Sequence, residues 1–387
     1  LHDMRTEPEL LEDWVASHQP FHWFLEFPKV FQRGGFDVVV GNPPYVSVQT
    51  IESYQWFGYR HQDVRNVYAL CLERCIALGS HDFCMSMVTP LSLAFSEGFA
   101  ATRALLMEEL ESTWSSTYGT RPASLFSGVQ VRCTIFTGIS SDQRSHCAST
   151  HRIWLREQRK SLFQTLYFLE HPRELAEIRW HKIADREMLR LLAAMNMLPP
   201  LNGQVSGLTE NFLYYKPVAR YWLPVSFDQP ASVLSDGSPL ASPNVNSIRI
   251  DTPENCRIAI SVMAGALGYF WWSTNGDDLN VPPWIIKTFP IPVFTAEERR
   301  EVLMLSDELE TRLSSEIFWT KNAGQWVSNY DLAACRAITD RIDEVYLDAI
   351  GMRDCQSALK AWYWTVMKST GDPTGSLRGP VPPPQRR

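Results

Sequence analysis

No stretch of the chain approaches the roughly 20 apolar residues that a bilayer span requires, and the N-terminus lacks the basic-then-apolar order of a secretory signal. A cytoplasmic protein with no membrane partner is expected. The eight cysteines (Cys71, Cys75, Cys84, Cys133, Cys147, Cys256, Cys335, Cys355) include no CxxC pair, so neither a zinc site nor a disulfide framework is indicated; reduced, mostly buried thiols are expected and no metal. Positive charge is also short. A net charge of -7 argues against a general polyanion binder, although a local basic face can coexist with an acidic whole. Internal repeats are absent. What the chain has is 387 residues, enough for two or three cores, and 14 tryptophans within an aromatic share of 12%, which supply ring surface for packing or for stacking on flat ligands.

Glycines Gly34 and Gly35 lead into Phe36, Asp37 and three valines, a buried-strand pattern that Gly41 ends. Apolar positions Val64, Val67, Tyr68, Cys71, Cys75 and Leu78 then recur at helical spacing, and Phe83 to Thr89 reads as a second strand closed by Pro90. Ser96 is placed to cap a helix through about Leu110, and 129–139 reads as a strand with Val129, Val131, Cys133 and Ile135 facing inward. Strands alternating with helices predict an α/β sheet of largely parallel order over 1–150. A helical connector follows over 151–200, then a turn-rich α+β region over 201–293. Helices are expected over 294–368, opened by a capping box at Thr295 and Glu298, with a disordered tail over 369–387.

The stretch that carries chemistry is VVVGNPPYV, residues 38 to 46. Two consecutive prolines after a strand fix two φ angles and hold the preceding residue extended, which makes a stiff corner at the strand end, where open α/β sheets bind ligands. It presents the Asn42 amide, the Pro43 carbonyl and the Tyr45 ring in fixed relation, with Pro44 as the second brace. An exocyclic amine on a heteroaromatic ring is a poor nucleophile because its lone pair is delocalised. Two acceptors on its N–H bonds favour the pyramidal nitrogen and the positive charge that develop in attack, and the ring of Tyr45 can stack on the base.

These residues resemble the γ-class DNA adenine-N6 methyltransferases, particularly the large methylases of type IIG restriction-modification and phage-exclusion systems. The resemblance rests on FHWFLEFPKVFQRGGFDVVVGNPPYV, NVYALCLERCIAL, MVTPLSLAFSEGFAATRALL and RPASLFSGVQVRCTIF, and extends more weakly through GALGYFWWSTNGDDLNVPPWIIKTFPIPV to the helix after Thr295. It implies the C-terminal part of a Rossmann-like methyltransferase sheet, followed by a target-recognition region at 201–293. It implies a catalytic corner of Asn42, Pro43, Pro44 and Tyr45 that holds an adenine rotated out of the duplex, with Tyr45 and Phe126 covering its two faces. The same motif also occurs in enzymes that methylate RNA or a protein glutamine.

The family's cofactor, S-adenosyl-L-methionine, is bound by motifs that normally precede NPPY, and the 41 residues before Asn42 hold no GxG loop. Two readings follow: a methylase whose N-terminal half lies upstream or on a partner subunit, or a remnant that binds DNA without methylating it. A nuclease signature is missing too, since Glu157 to Lys160 with Asp142 upstream has the wrong spacing. For double-stranded DNA, the expected contacts are Arg152, Arg156, Arg159 and Lys160, three of which would share a helix face. Lys216 and Arg220 are expected in an exposed patch with Tyr221 and Trp222. The GDDLN stretch at 276–280 reads as a turn and not as a metal site.

Overall fold

The structure is a computed structural model that describes residues 8–19, 21–51, 56–60, 64–140, 144–234, 237–240, 244–322 and 325–368; the expected tail at 369–387 lies outside them. The valine run forms β1 (Phe36–Gly41), entered through Gly35, whose φ is +126° and where an added Cβ would meet the Gly79 carbonyl oxygen at 2.6 Å, so no side chain fits. Helix α1 (Val67–Leu78) follows, with the Asn66 side chain capping the Tyr68 amide, and returns the chain to β2 (Gly79–Pro90), parallel to β1. Then come α2 (Ala100–Glu109), β3 (Ser112–Tyr118), β4 (Cys133–Ile139), β5 (Ser145–Ser149) and β6 (Phe168–His171), giving the six-stranded order β1-β2-β4-β3-β5-β6.

The chain is α/β as expected, but the sheet is mixed and not largely parallel. A parallel return needs a crossover helix, whereas residues 119–132 form a loop without one, so β4 returns antiparallel and inserts between β2 and β3. The inward residues of β4 also differ from expectation. Phe136 is the one packed into the main core, Ile135 lies on the other face, and Val129 and Val131 belong to the loop. Ser96 precedes a short 3-10 turn, and α2 begins only at Ala100.

Both α1 and α2 cover one face of this sheet, with Tyr68, Leu72, Leu106, Phe83, Met85, Met87 and Phe136 between them. Among the described residues, the opposite face is covered on the β3 side, by Tyr118, Ala123, Trp154 and Leu162. Over β1 it is open: Val38 is 60% and Val40 73% exposed. Beyond β6, α3 (Arg186–Asn196) leads into a second body. Its antiparallel sheet β11-β7-β8 contains β7 (Asn211–Tyr215), β8 (Val225–Ser226) and β11 (Asn246–Ile250). A further sheet, β10-β9-β13-β12, joins β9 (Ser232–Val233) and β10 (Pro239–Leu240) to β12 (Ile317–Asn322) and β13 (Gln325–Tyr330). Helices α4 (Pro253–Met263), α5 (Ala266–Asn275), α6 (Ala296–Ser315), α7 (Arg336–Ala349) and α8 (Gln356–Lys368) share one core with the first of these sheets, including Leu213, Ile248, Phe270, Leu309 and Tyr346. The expected Thr295–Glu298 capping box opens α6, with both reciprocal bonds formed. Among the described residues, no helix is long and apolar enough to cross a membrane.

Candidate active site at the sheet rim

The parallel strands β1 and β2 end at one rim, where Gly41 lies opposite Met87. The antiparallel β4 starts there, with Cys133 opposite Pro90, and β3 ends there, with Tyr118 opposite Cys133. The segments that follow these ends leave from the same rim: the Asn42–Tyr45 corner, the turn after Pro90, and the 119–132 loop that carries Phe126. Leu91 donates its amide to the Arg132 carbonyl at 2.8 Å, which joins two of these segments.

Asn42 and Pro44 are exposed, whereas Pro43 and Tyr45 are half-buried, so the corner is open to a ligand and not sealed in the core. The Tyr45 hydroxyl folds back, with Asn42 Oδ1 at 2.7 Å and the Val88 carbonyl at 2.9 Å as acceptors for its single proton. Burial, and then the neighbouring Cys133 thiol, push the Tyr45 phenol well above its ordinary value, so it stays protonated and acts as a donor. Burial pushes the Cys133 thiol up to about 11, which leaves it neutral and a poor nucleophile. The Pro43 carbonyl accepts no hydrogen bond from the described residues, and Asn42 Oδ1 keeps a second lone pair. Asn42 Oδ1 and the Pro43 carbonyl are thus two neighbouring acceptors with unused capacity among the described residues, beside the half-buried Tyr45 ring.

Phe126 is half-buried within the rim loop. Ser124 Oγ donates to the Phe126 carbonyl at 2.7 Å, and Arg159 donates to the carbonyls of Ser124 (2.8 Å) and Leu125 (3.1 Å) while its guanidinium stands 4.9 Å above the Trp154 ring. Arg159 therefore braces the loop. Arg152 is not on a helix with the other basic residues: it bridges to Tyr118 and turns its guanidinium onto Thr165 Oγ1 at 2.8 Å. Arg156 and Lys160 lie on a 3-10 turn, Arg156–Ser161, with both side chains exposed. The expected exposed patch around residue 216 differs as well. Lys216 Nζ donates to the Ser328 carbonyl and to Asn329 Oδ1, both at 2.6 Å, and burial lowers it to about 8; Tyr221 is buried, and Arg220 lies exposed against the Tyr221 ring.

Residues 275–280 form a turn that basic side chains grip from the first sheet's side. Arg132 meets Asp277 at 3.4 Å, His151 meets Asp278 at 3.3 Å, Arg179 donates to Asn275 Oδ1 at 3.3 Å, and the buried Lys182 donates to the Gly276 carbonyl. Asp277 also accepts the amides of Leu279 and Asn280, the bonding of a tight turn. Among the described residues there is no cluster fit to hold a metal ion. Sequence reasoning missed Arg132, His151 and the Val88 carbonyl because their partners lie far along the chain.

Residues 4–117 match the model of one protein family, the Eco57I restriction-modification methylase. No curated protein matches the chain by sequence. Among solved structures, it is similar to a DrdV–DNA complex (10% identity, TM-score 0.41, 89% of this chain and 58% of that one). It is also similar to the type IIL restriction-modification enzyme MmeI in complex with DNA (10% identity, TM-score 0.45, 86% and 57%). A third is the type IIG restriction endonuclease BpuSI (12% identity, TM-score 0.31, 84% and 55%). The chain spans a little over half the length of these proteins.

Proposed function

We propose that this chain carries the base-binding side of a site-specific DNA adenine-N6 methyltransferase of a restriction-modification or phage-defence system. One observation carries the reading: Asn42 Oδ1, which accepts from the Tyr45 hydroxyl, and the Pro43 carbonyl, which accepts no bond among the described residues, are neighbouring acceptors at an open sheet rim. An adenine extruded from its duplex would place its amine between them and its ring against Tyr45, with Phe126 from the rim loop on the other face. Accepting both N–H bonds draws the nitrogen lone pair out of the ring and stabilises positive charge as the nitrogen attacks. The family match over residues 4–117 supports a methylase.

S-adenosyl-L-methionine does not fit the residues present. Beside Asn42 on the β1 side, among the described residues, there is no further strand, and Val38 and Val40 stand exposed where a pocket wall would have to be. The methyl donor's pocket is therefore assigned to polypeptide that docks beyond β1, and double-stranded DNA is the second partner.

The test uses enzyme completed with that polypeptide. Asn42→Ala is expected to lower the rate of methyl transfer to DNA by about 10²–10³ while duplex affinity stays within a small factor. Methylation at the parental rate would show that the corner is not the site.

A further inference from the structure

Separate from the Asn42–Tyr45 corner, the rim loop and the turn at Arg156–Ser161 enclose a cleft of about 530 Å³. Three arginines, Arg121, Arg156 and Arg159, line it, and no carboxylate does, in a chain whose net charge is -7. The three are not equivalent. Arg159 is occupied in holding the Ser124 and Leu125 carbonyls. Arg121 and Arg156 are exposed, and neither hydrogen-bonds nor pairs with a carboxylate among the described residues.

Between them, at Ser127 and Gly128, the backbone turns through a φ of +77° at Gly128 with open space around it, and neither amide donates within the described residues. Two free guanidinium forks facing a walled cleft, with amide donors at its edge, form an anion site suited to the paired oxygens of a phosphate.

Its place gives the source of the anion. The same loop carries Phe126, and it runs into Cys133, which touches the Tyr45 hydroxyl. A nucleotide whose base enters the corner leaves its phosphates outside, on this rim. Resting on the function proposed above, we infer that Arg121 and Arg156 bind the DNA phosphodiester that flanks the extruded nucleotide. They would anchor the strand without reading its sequence.

The test uses the full 387-residue chain and a fluorescein-labelled duplex, with affinity followed by anisotropy as KCl is raised. Each lost phosphate contact lowers the slope of log K against log salt by about 0.9, so Arg121→Ala with Arg156→Ala should flatten it by about 1.8. The corresponding lysine pair should retain the slope, which separates charge from folding. Four outcomes are informative. A flattened slope in the alanine pair, common to unrelated duplex sequences, supports the site. An unchanged slope on a chain that binds duplex overturns the cleft and leaves the proposed function standing. Binding of inorganic phosphate to the chain that depends on both arginines, with duplex affinity and slope unchanged in the alanine pair, reassigns the cleft to a small anion and overturns the strand contact. A parental chain that shows no duplex binding overturns the cleft together with the DNA reading.

Discussion

Replacing Tyr45 by phenylalanine removes one oxygen and leaves the ring in place. That oxygen has two acceptors, Asn42 Oδ1 at 2.7 Å and the Val88 carbonyl at 2.9 Å, and its proton is firmly held because burial raises the phenol's pKa. On the proposed function the hydroxyl is a positioning donor: its bond to Asn42 Oδ1 engages one lone pair and leaves the other for the base amine. Its loss forfeits one neutral hydrogen bond of about 0.5–1.5 kcal/mol. At about 1.4 kcal/mol per factor of ten, Tyr45→Phe should slow methyl transfer by roughly two- to tenfold. Stacking survives, so duplex affinity should not move. On the same reading, Asn42→Ala deletes an acceptor for the reacting amine and should cost about 10²–10³ in rate. Single-turnover transfer of labelled methyl groups to DNA, in enzyme completed with its cofactor-binding part, measures both variants. If Tyr45→Phe is as slow as Asn42→Ala, the hydroxyl acts on the reaction itself; if it runs at the parental rate, the bond to Asn42 does nothing. Either result refutes the assigned role.

Two further outcomes follow from charge and burial. Calorimetric titration of the isolated chain with S-adenosyl-L-methionine should give no heat of micromolar binding, because the β1 side of the corner is open; a micromolar isotherm would overturn the division of the site. Asp343 is fully buried, with Oδ2 accepting the Ala266 amide that starts α5, and desolvation raises its carboxyl to about 7, with Arg336 opposing. Its folded-state value lies above the unfolded one, so its stabilisation is complete below about pH 4 and is lost as pH rises to about 7, by up to about 4 kcal/mol. Asp343→Asn should flatten urea stability across that window and be relatively more stable at pH 8; an unchanged slope would exclude Asp343 as the group responsible.

What was legible in the sequence was local. The valine run, the glycine that ends it and the two prolines act within a few residues, so β1 and its stiff corner follow from φ restriction alone. The Thr295–Glu298 capping box is likewise a three-residue signal, and the GDDLN turn a five-residue one. The direction of β4 was not legible, because a loop that returns antiparallel and one that crosses over differ in tertiary packing and not in residue pattern. Charged side chains were the least legible. Arg156 and Arg159 are three residues apart on one turn, yet one guanidinium has no bond among the described residues and the other is bonded to two carbonyls. Lys216 looks like any surface lysine until Ser328 and Asn329 are brought beside it.

The two sides of the corner are built to different degrees, and that asymmetry bears on how a working site is completed. On the β4–β3 side the rim is closed: Cys133 lies against Tyr45, Arg159 holds the Phe126 loop, and Asp277 and Asp278 anchor Arg132 and His151 from the second body. On the β1 side a strand paired in parallel to β2 shows its outer edge and two valines to solvent. Parallel strands are ordinarily covered on both faces, and a flat apolar edge invites pairing with another chain. Covering Val38 and Val40 would return apolar area from water at about 25 cal/mol per Å², so docking beyond β1 is favoured by the same contact that would wall the corner. On the proposed function, base binding and cofactor binding are then separate structural tasks that would meet at Asn42, at the end of β1.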